Sequence, residues 1–307
     1  MSSFSCVVNE QISFGLRLDR YISETLRLLS RSQIKARGLK AKVNGKDVKL
    51  SRPVKQGDSL ELCWEDSQPV HILPQDIPLE IIYEDKRCVV INKAQGMVVH
   101  PGAGNRQGTM ANALLYRKIC NEHILADNKT DEKEKIRPGI IHRLDKDTSG
   151  IIIASYDDEA HDFISQQFKI RKVRKTYVAV ICGTPKEKTG RIETFIARDP
   201  KDRKRFTVSS AGKAALTFYK VVKSRKNHSL VLLRPKTGRT HQLRVHMRYL
   251  GFPVLGDCIY GFKDKYFPSA TLMLHSKTLE VILPGETQAR IFTSPMPQRF
   301  LDVIEKM

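Results

Sequence analysis

Asp145 is the side chain whose company most suggests chemistry. It stands in His142-Arg143-Leu144-Asp145-Lys146-Asp147-Thr148-Ser149-Gly150, with Arg143 two positions before it and Lys146 directly after. Cations that near favour the charged carboxylate. An ionised carboxylate on a scaffold can act as a nucleophile, a general base or a metal ligand. The same residues could also form an ordinary exposed salt-bridged turn, which contributes little to stability. A second charged stretch, Thr237-Gly238-Arg239-Thr240-His241-Gln242-Leu243-Arg244-Val245-His246, gathers guanidinium and imidazole groups.

Something must hold these side chains still. Pro138-Gly139-Ile140-Ile141 reads as a turn and a short strand, and Gly150 to Ser155 as a buried β-branched strand. The loop between them is expected to hang from sheet on both sides, where loops commonly carry function. Further strands are expected at Glu80 to Tyr83, Cys88 to Lys93, Thr176 to Ile181, Leu230 to Leu233 and Leu279 to Pro284. Thr109 is read as the cap of a helix through Ala113, Leu114 and Leu115, and Asp157-Asp158-Glu159 as an acidic helix start reaching Phe168. Thr240 is read as the cap of a helix holding His241, Arg244, His246 and Arg248, with Arg244 and Arg248 on one face. Phe300, Val303 and Ile304 suggest a closing helix.

The N-terminal part has its own pattern. From Phe14 to Trp64, apolar Leu16, Leu18, Tyr21, Ile22, Leu26 and Leu29 recur at helical spacing, with arginines largely between them. Ser30-Arg31-Ser32 offers a cap for a second helix ended by Gly38, Asn44-Gly45 a hairpin turn, and Ser59 to Trp64 a return strand. Pro69, Pro74 and Pro78 mark a linker. The polar stretch His123 to Lys135 reads as a mobile insertion. Asp199 to Lys213, with Lys201, Arg203, Lys204 and Arg205 beside Phe206, fits a basic arm or an exposed hairpin equally.

A net charge of +20 and a pI near 9.8 point to a polyanionic partner. No apolar run reaches the ~18 residues of a membrane span, and the first residues lack a secretory pattern, so a soluble cytoplasmic protein with no membrane partner is expected. Six scattered cysteines contain no Cys-x-x-Cys pair, which argues against a zinc ribbon or a disulfide framework. His241 and His246 lack a third ligand nearby, so no metal is expected there. Pro101-Gly102-Ala103-Gly104 is followed by no Gly-Lys-Ser or Gly-Lys-Thr, which excludes a P-loop.

His142 to Gly150 closely resembles the catalytic loop of the RluA family of RNA pseudouridine synthases. The resemblance extends to Lys175-Thr176-Tyr177-Val178-Ala179, to Thr237 to His246, and upstream to Ile91-Asn92-Lys93 and Val99-His100-Pro101-Gly102-Ala103-Gly104. The last string is most similar to the branch that modifies large-subunit ribosomal RNA, the RluD type. Ala94 departs from the family's usual proline. Arg17-Leu18-Asp19, Ser30-Arg31-Ser32, Val43-Asn44-Gly45-Lys46 and Val54-x-x-Gly57-Asp58 resemble an S4 RNA-binding domain.

The resemblance implies an α+β fold: a catalytic domain at 79–307 on a mixed, mainly antiparallel sheet, preceded by a small α/β S4 domain at 12–68 and a linker at 69–78. It implies isomerisation of uridine to pseudouridine in RNA, with no cofactor. The expected partner is 23S ribosomal RNA or a precursor of the large subunit, the target the uridines of helix 69, and the oligomeric state a monomer. Asp145 would be the essential carboxylate, Arg244 its bidentate partner, and Tyr177 the residue stacked on the base. Arg143 would fill the vacated stack, Leu144 would pack inward, and Ile282 and Leu283 would line the apolar side of the pocket. Arg17, Arg27, Arg31, Lys35, Arg37, Lys40 and Lys42, with Lys201, Arg203, Lys204 and Arg205, would face phosphates. The rival readings are an idle RNA-binding or ribosome-assembly factor, a synthase for other ribosomal uridines, and a glycosidase, which would need a second carboxylate.

Overall fold

The computed structural model describes residues 1–9, 15–29, 31–65, 72–102, 104–125, 139–225 and 227–307. The expected cap Ser30, the linker start at Pro69, the turn residue Pro138 and the polar insertion beyond 125 lie outside them. Two compact units emerge, Met1–His71 and Ile72–Met307.

The first unit contains β1 (Ser2–Val7), α1 (Leu18–Arg20) running into a π-helical turn (Tyr21–Thr25), α2 (Arg31–Ala36), β2 (Lys40–Val43), β3 (Lys46–Val48) and β4 (Ser59–Trp64). Its antiparallel sheet has the order β1-β4-β2-β3. Asn44 and Gly45, at φ 53° and 73°, make the tight turn between β2 and β3. In β2 exposed Lys40 and Lys42 alternate with buried Ala41 and Val43, the signature of a strand with one face on a core. Leu18, Ile22, Ile34, Leu60 and Leu62 fill that core. The sheet also takes in Ser2 to Val7, ahead of the expected start at residue 12.

The second unit opens with an extended segment, Ile72 to Leu79. The expected linker at 69–78 overlaps it, and here the amide of Asn112 donates to Leu73 O at 2.8 Å and Gly108 N donates to Gln75 Oε1 at 2.7 Å. There follow β5 (Glu80–Glu84), β6 (Cys88–Lys93), α3 (Met110–Leu125), β7 (Ser149–Ser155), α4 (Asp158–Lys169), β8 (Arg174–Cys182), β9 (Thr189–Arg198), β10 (Phe206–Val208), β11 (Lys213–Arg225), β12 (His228–Pro235), α5 (Gln242–Tyr249), β13 (Leu274–Ile282), β14 (Ala289–Thr293) and α6 (Gln298–Lys306). One ten-stranded sheet runs β10-β9-β11-β12-β8-β13-β7-β6-β5, with β14 also on β13. Among the described strands the single parallel pairing joins β13 to β7, so the sheet is mixed and mainly antiparallel as expected.

β7 is buried on both faces, which explains its unbroken apolar reading. Ile152 and Ala154 enter one core cluster with Val178, Leu243 and Phe300, while Ile151 and Ile153 enter another with Ile164, Leu279 and Leu283. Gly150, the second residue of the strand, sits at φ +107°, and a Cβ there would lie 2.2 Å from Ser276 O. Only glycine lets β7 approach β13 so closely.

Four local expectations need correction, one of them only in part. Ile140 forms only an isolated bridge to Ala154, not a strand, so the Asp145 loop has regular sheet on one side alone. At α3, Thr109 does hold the cap position, its carbonyl accepting Asn112 N and Ala113 N, but its Oγ1 donates to Asn112 Oδ1, which also accepts Thr109 N, so the side-chain cap comes from Asn112. α3 continues through His123 to Leu125, where the polar insertion was expected to begin. Before α5 the cap position belongs to His241, not Thr240, and Gln242 Oε1 turns back to accept Arg239 N at 3.0 Å and Thr237 Oγ1 at 2.7 Å.

Candidate active site

The Asp145 loop is held from beneath. Leu144 is buried in the main core, so its neighbours Arg143 and Asp145 are turned outward. The Lys93 ammonium, also buried, donates to Ala94 O, Met97 O and Lys146 O at 2.9 to 3.0 Å. Burial pushes this amine down to about 8, with Asp147 and Asp145 opposing. Gln95 Nε2 donates to Asp147 O at 3.0 Å and Gly96 N to Lys146 O at 2.9 Å. Three ties to backbone carbonyls of the Asp145 loop, from Lys93, Gln95 and Gly96, make a rigid platform.

His142 belongs to that platform. Its Nε2 accepts Ile153 N at 3.1 Å and its ring stacks on Phe168 at 4.6 Å. Burial, helped by Lys175, pushes its pKa down to about 3. It is a neutral acceptor at physiological pH and fixes the loop to β7.

Arg244 is carried by α5 and is buried. Its Nη1 lies 3.4 Å from Asp145 Oδ2, while Nε and Nη2 donate to Asp257 Oδ2 and Oδ1, both at 2.7 Å. The expected bidentate grip on Asp145 is thus made on Asp257, and Asp145 receives the remaining nitrogen. Asp257 also accepts Ile259 N at 2.9 Å and Tyr260 N at 3.0 Å. Burial would raise its pKa, but Arg244 and these N–H groups outweigh that and hold it below the usual range. Sequence reasoning missed Asp257; its signal is a lone acid directly after apolar Val254-Leu255-Gly256.

Tyr177, on β8, is buried beside the same cavity. Burial and, to a lesser degree, Asp145 push its hydroxyl up to about 12, with the Ser276 side chain opposing. The cavity has a volume of about 530 Å³. Arg143, Leu144, Asp145, Tyr177 and Arg244 line it, with Phe168, Val173 and Leu274 as apolar wall. Ile282 and Leu283 do not. Leu283 packs in the cluster around Ile153 and Ile164, and Ile282 exchanges backbone hydrogen bonds with the Gln167 side chain. The resemblance implied a lining role for Ile282 and Leu283, but at the end of β13 they face the Ile153 and Ile164 cluster and Gln167.

The lining is electrostatically one-sided. Arg143, Lys169, Arg171, Lys175, Lys236, Arg239 and Arg244 surround one carboxylate, Asp145. Such a mouth favours a polyanion over a neutral ligand. A glycosidase would need a second acid in this lining, and it has none.

The remaining basic residues are divided. Arg27, Lys35, Lys40 and Lys42 are exposed, and Arg37 is half-buried. Arg17 and Arg31 are also exposed, but both pair with Asp19, at 3.0 and 3.3 Å. In the second unit the Asp199 to Arg205 loop is a hairpin between β9 and β10, braced by Arg198 Nη1 on Arg203 O at 2.6 Å. Lys201, Arg203 and Lys204 point to solvent from it, while Arg205 lies over the Tyr260 ring at 5.6 Å.

Cys182, His228 and Asp264 form a cluster whose donor atoms lie within 4.8 Å of one another. His228 Nε2 is 2.8 Å from Asp264 Oδ2, and Asp264 Oδ1 accepts Tyr266 N and Phe267 N. Burial and Asp264 push the Cys182 thiol up to about 12, away from the thiolate a metal requires. The group ties a turn to β12.

Residues 87–249 match the family model described as RNA pseudouridylate synthase. The chain is 46% identical to "Ribosomal large subunit pseudouridine synthase D" of Borreliella burgdorferi, over 94% of this chain and 88% of that protein. It is 43% identical to an uncharacterised RNA pseudouridine synthase of Aquifex aeolicus, over 94% and 92%. Among solved structures, human RNA pseudouridylate synthase domain containing 4 superposes with a TM-score of 0.58 at 26% identity, over 74% of this chain and 92% of that one.

Proposed function

Because this chain belongs to the RluA family of RNA pseudouridylate synthases, and is accordingly an RNA pseudouridine synthase, we propose that it isomerises uridines of 23S ribosomal RNA with Asp145 as the reactive carboxylate. In this reaction the N1 to C1′ bond of a uridine breaks, the uracil turns in the cavity, and C5 joins C1′. The proton on C5 leaves to solvent and N1 takes one up, so the overall composition is unchanged and nothing beyond the polypeptide is called for. The observation that carries the reading is the lone carboxylate in a cationic cavity, with Arg244 Nη1 at 3.4 Å from it.

Asp145 would either attack C1′ or remove the C2′ proton. Tyr177 would stack on the uracil and assist at C5. A uridine in folded RNA must first leave its stack, at a cost of a few kcal/mol. Arg143, exposed at the cavity mouth, would fill the gap with its planar guanidinium. Residues 12–68 would act as an S4 domain, with the exposed cations around α2 and β2 on phosphates, and the hairpin at Lys201 to Arg205 would add a second contact. The relatives named for large-subunit ribosomal RNA support 23S as the target, and the Val99 to Gly104 string supports helix 69 within it. The protein is proposed to act as a monomer in the cytoplasm. Among the described residues no helix is long and apolar enough to cross a membrane.

Pseudouridine mapping of ribosomal RNA tests this reading. Cells lacking the gene should lose pseudouridines in 23S helix 69, and the wild-type gene but not Asp145→Asn should restore them. An unchanged map after deletion overturns the target, and restoration by Asp145→Asn overturns the role of the carboxylate.

A further inference from the structure

His241 is held in an unusual way. It precedes α5 in a left-handed conformation, φ 56° and ψ 15°, yet makes no side-chain cap hydrogen bond. A residue with a Cβ adopts that conformation only at a cost. What the conformation achieves is placement: the imidazole enters the cavity, with Nε2 4.0 Å from Asp145 Oδ1. Its Nδ1 is 2.8 Å from the Tyr260 hydroxyl, and that oxygen accepts Phe206 N at 2.8 Å. With Phe206 N on its oxygen the hydroxyl is free to donate to Nδ1, and in that arrangement the imidazole's own proton is on Nε2, facing the carboxylate. Burial lowers the pKa of the ring despite Asp145, which favours the neutral imidazole.

We propose that His241 is a positioning residue for Asp145: its Nε2–H holds Oδ1 once RNA fills the cavity, Arg244 holds Oδ2, and Tyr260 fixes the tautomer. This rests on Asp145 being the reactive carboxylate. The 4.0 Å gap must close by about 1 Å, a tightening common between free and substrate-bound enzymes. Two donors from different directions determine the plane of the carboxylate, which a single 3.4 Å contact from Arg244 does not. Phe206, where the relay starts, directly follows the basic loop ending at Arg205, so the tautomer is set by the same hairpin that presents cations to solvent.

The test is single-turnover tritium release from 23S rRNA transcribed with C5-tritiated uridine, with RNA affinity measured alongside by filter binding. His241→Ala should slow release by about tenfold or more, with the dissociation constant within about twofold. His241→Gln, whose amide N–H can reach the same oxygen, should recover most of the loss, and Tyr260→Phe should lose about threefold. A wild-type rate in His241→Ala, a Gln variant no better than Ala, or a loss confined to RNA affinity, as for a phosphate contact, overturns the proposal. Should His241→Ala not fold, Tyr260→Phe decides: a slower rate at unchanged affinity upholds it, and a wild-type rate overturns it. Activity in Asp145→Asn overturns the underlying reading, whereas an inert Asp145→Asn beside a fully active His241→Ala overturns the positioning role alone.

Discussion

Asp257 determines how much of Arg244 is left for Asp145. Two of the guanidinium's hydrogen bonds are spent on Asp257, which leaves one directed nitrogen for the carboxylate in the cavity. Asp145 thereby has a guanidinium nearby without the close pairing that would blunt the proposed nucleophile or base. Asp257→Asn should leave a buried guanidinium short of its counter-charge, at a cost of roughly 3 to 5 kcal/mol by analogy with broken buried pairs. Urea unfolding of the variant checks this, and an unchanged midpoint speaks against it. At this scale the sequence was informative where a residue sat in a dense string, as Asp145, Arg143 and Tyr177 do. Asp257 and the platform of Lys93 were missed because their partners are remote in the chain, and spacing carries no information about contacts so far apart.

The elements explain why the loop stays in place. β7 carries it from one side, α5 brings Arg244 across, and β8 supplies Tyr177. The meeting of β7 and β13 depends on Gly150, since a Cβ there would sit 2.2 Å from Ser276 O at a φ of +107°. Gly150→Ala should cost ~1 to 3 kcal/mol for the backbone alone, and more for the clash. It should depress both the unfolding midpoint and turnover, and a variant as stable as wild type would mean that the strands do not meet this closely. Strand and helix positions were largely readable, because β-branched runs and an acidic helix start are local signals. Asp157 does cap α4, accepting Ala160 N at 2.6 Å. The side-chain caps of α3 and α5 were not legible because Asn112 and Gln242 reach back from inside the helix, a choice that a threonine in the preceding position does not reveal.

At the scale of the whole molecule, buried neutral histidines tie stability to pH. Burial holds His142 at about 3 and His246 and His275 at about 4. Each is neutral when folded but takes up a proton when unfolded below about 6.5, so its stabilising effect is complete above that pH and is lost as the pH falls toward the folded value. The melting temperature should fall steadily from about pH 6.5 to 4, and a flat profile there would contradict neutral burial. Charge acts over the same scale. Removing residues 1–68 should weaken RNA binding and flatten its dependence on salt, because fewer counterions are released. An unchanged slope would take RNA contact away from the first unit. The division of the chain into two units falls near the prolines of the expected linker, whereas β1 was not legible, since Ser2 to Val7 is too short and polar to announce a strand without its partner β4.

Tritium release from C5-labelled uridine RNA, wild type against Asp145→Asn, tests the centre of the account most directly. Wild-type protein should release tritium and Asp145→Asn none, with RNA affinity kept within a few-fold. Release by Asp145→Asn at the wild-type rate would contradict the assignment of this carboxylate to the chemistry.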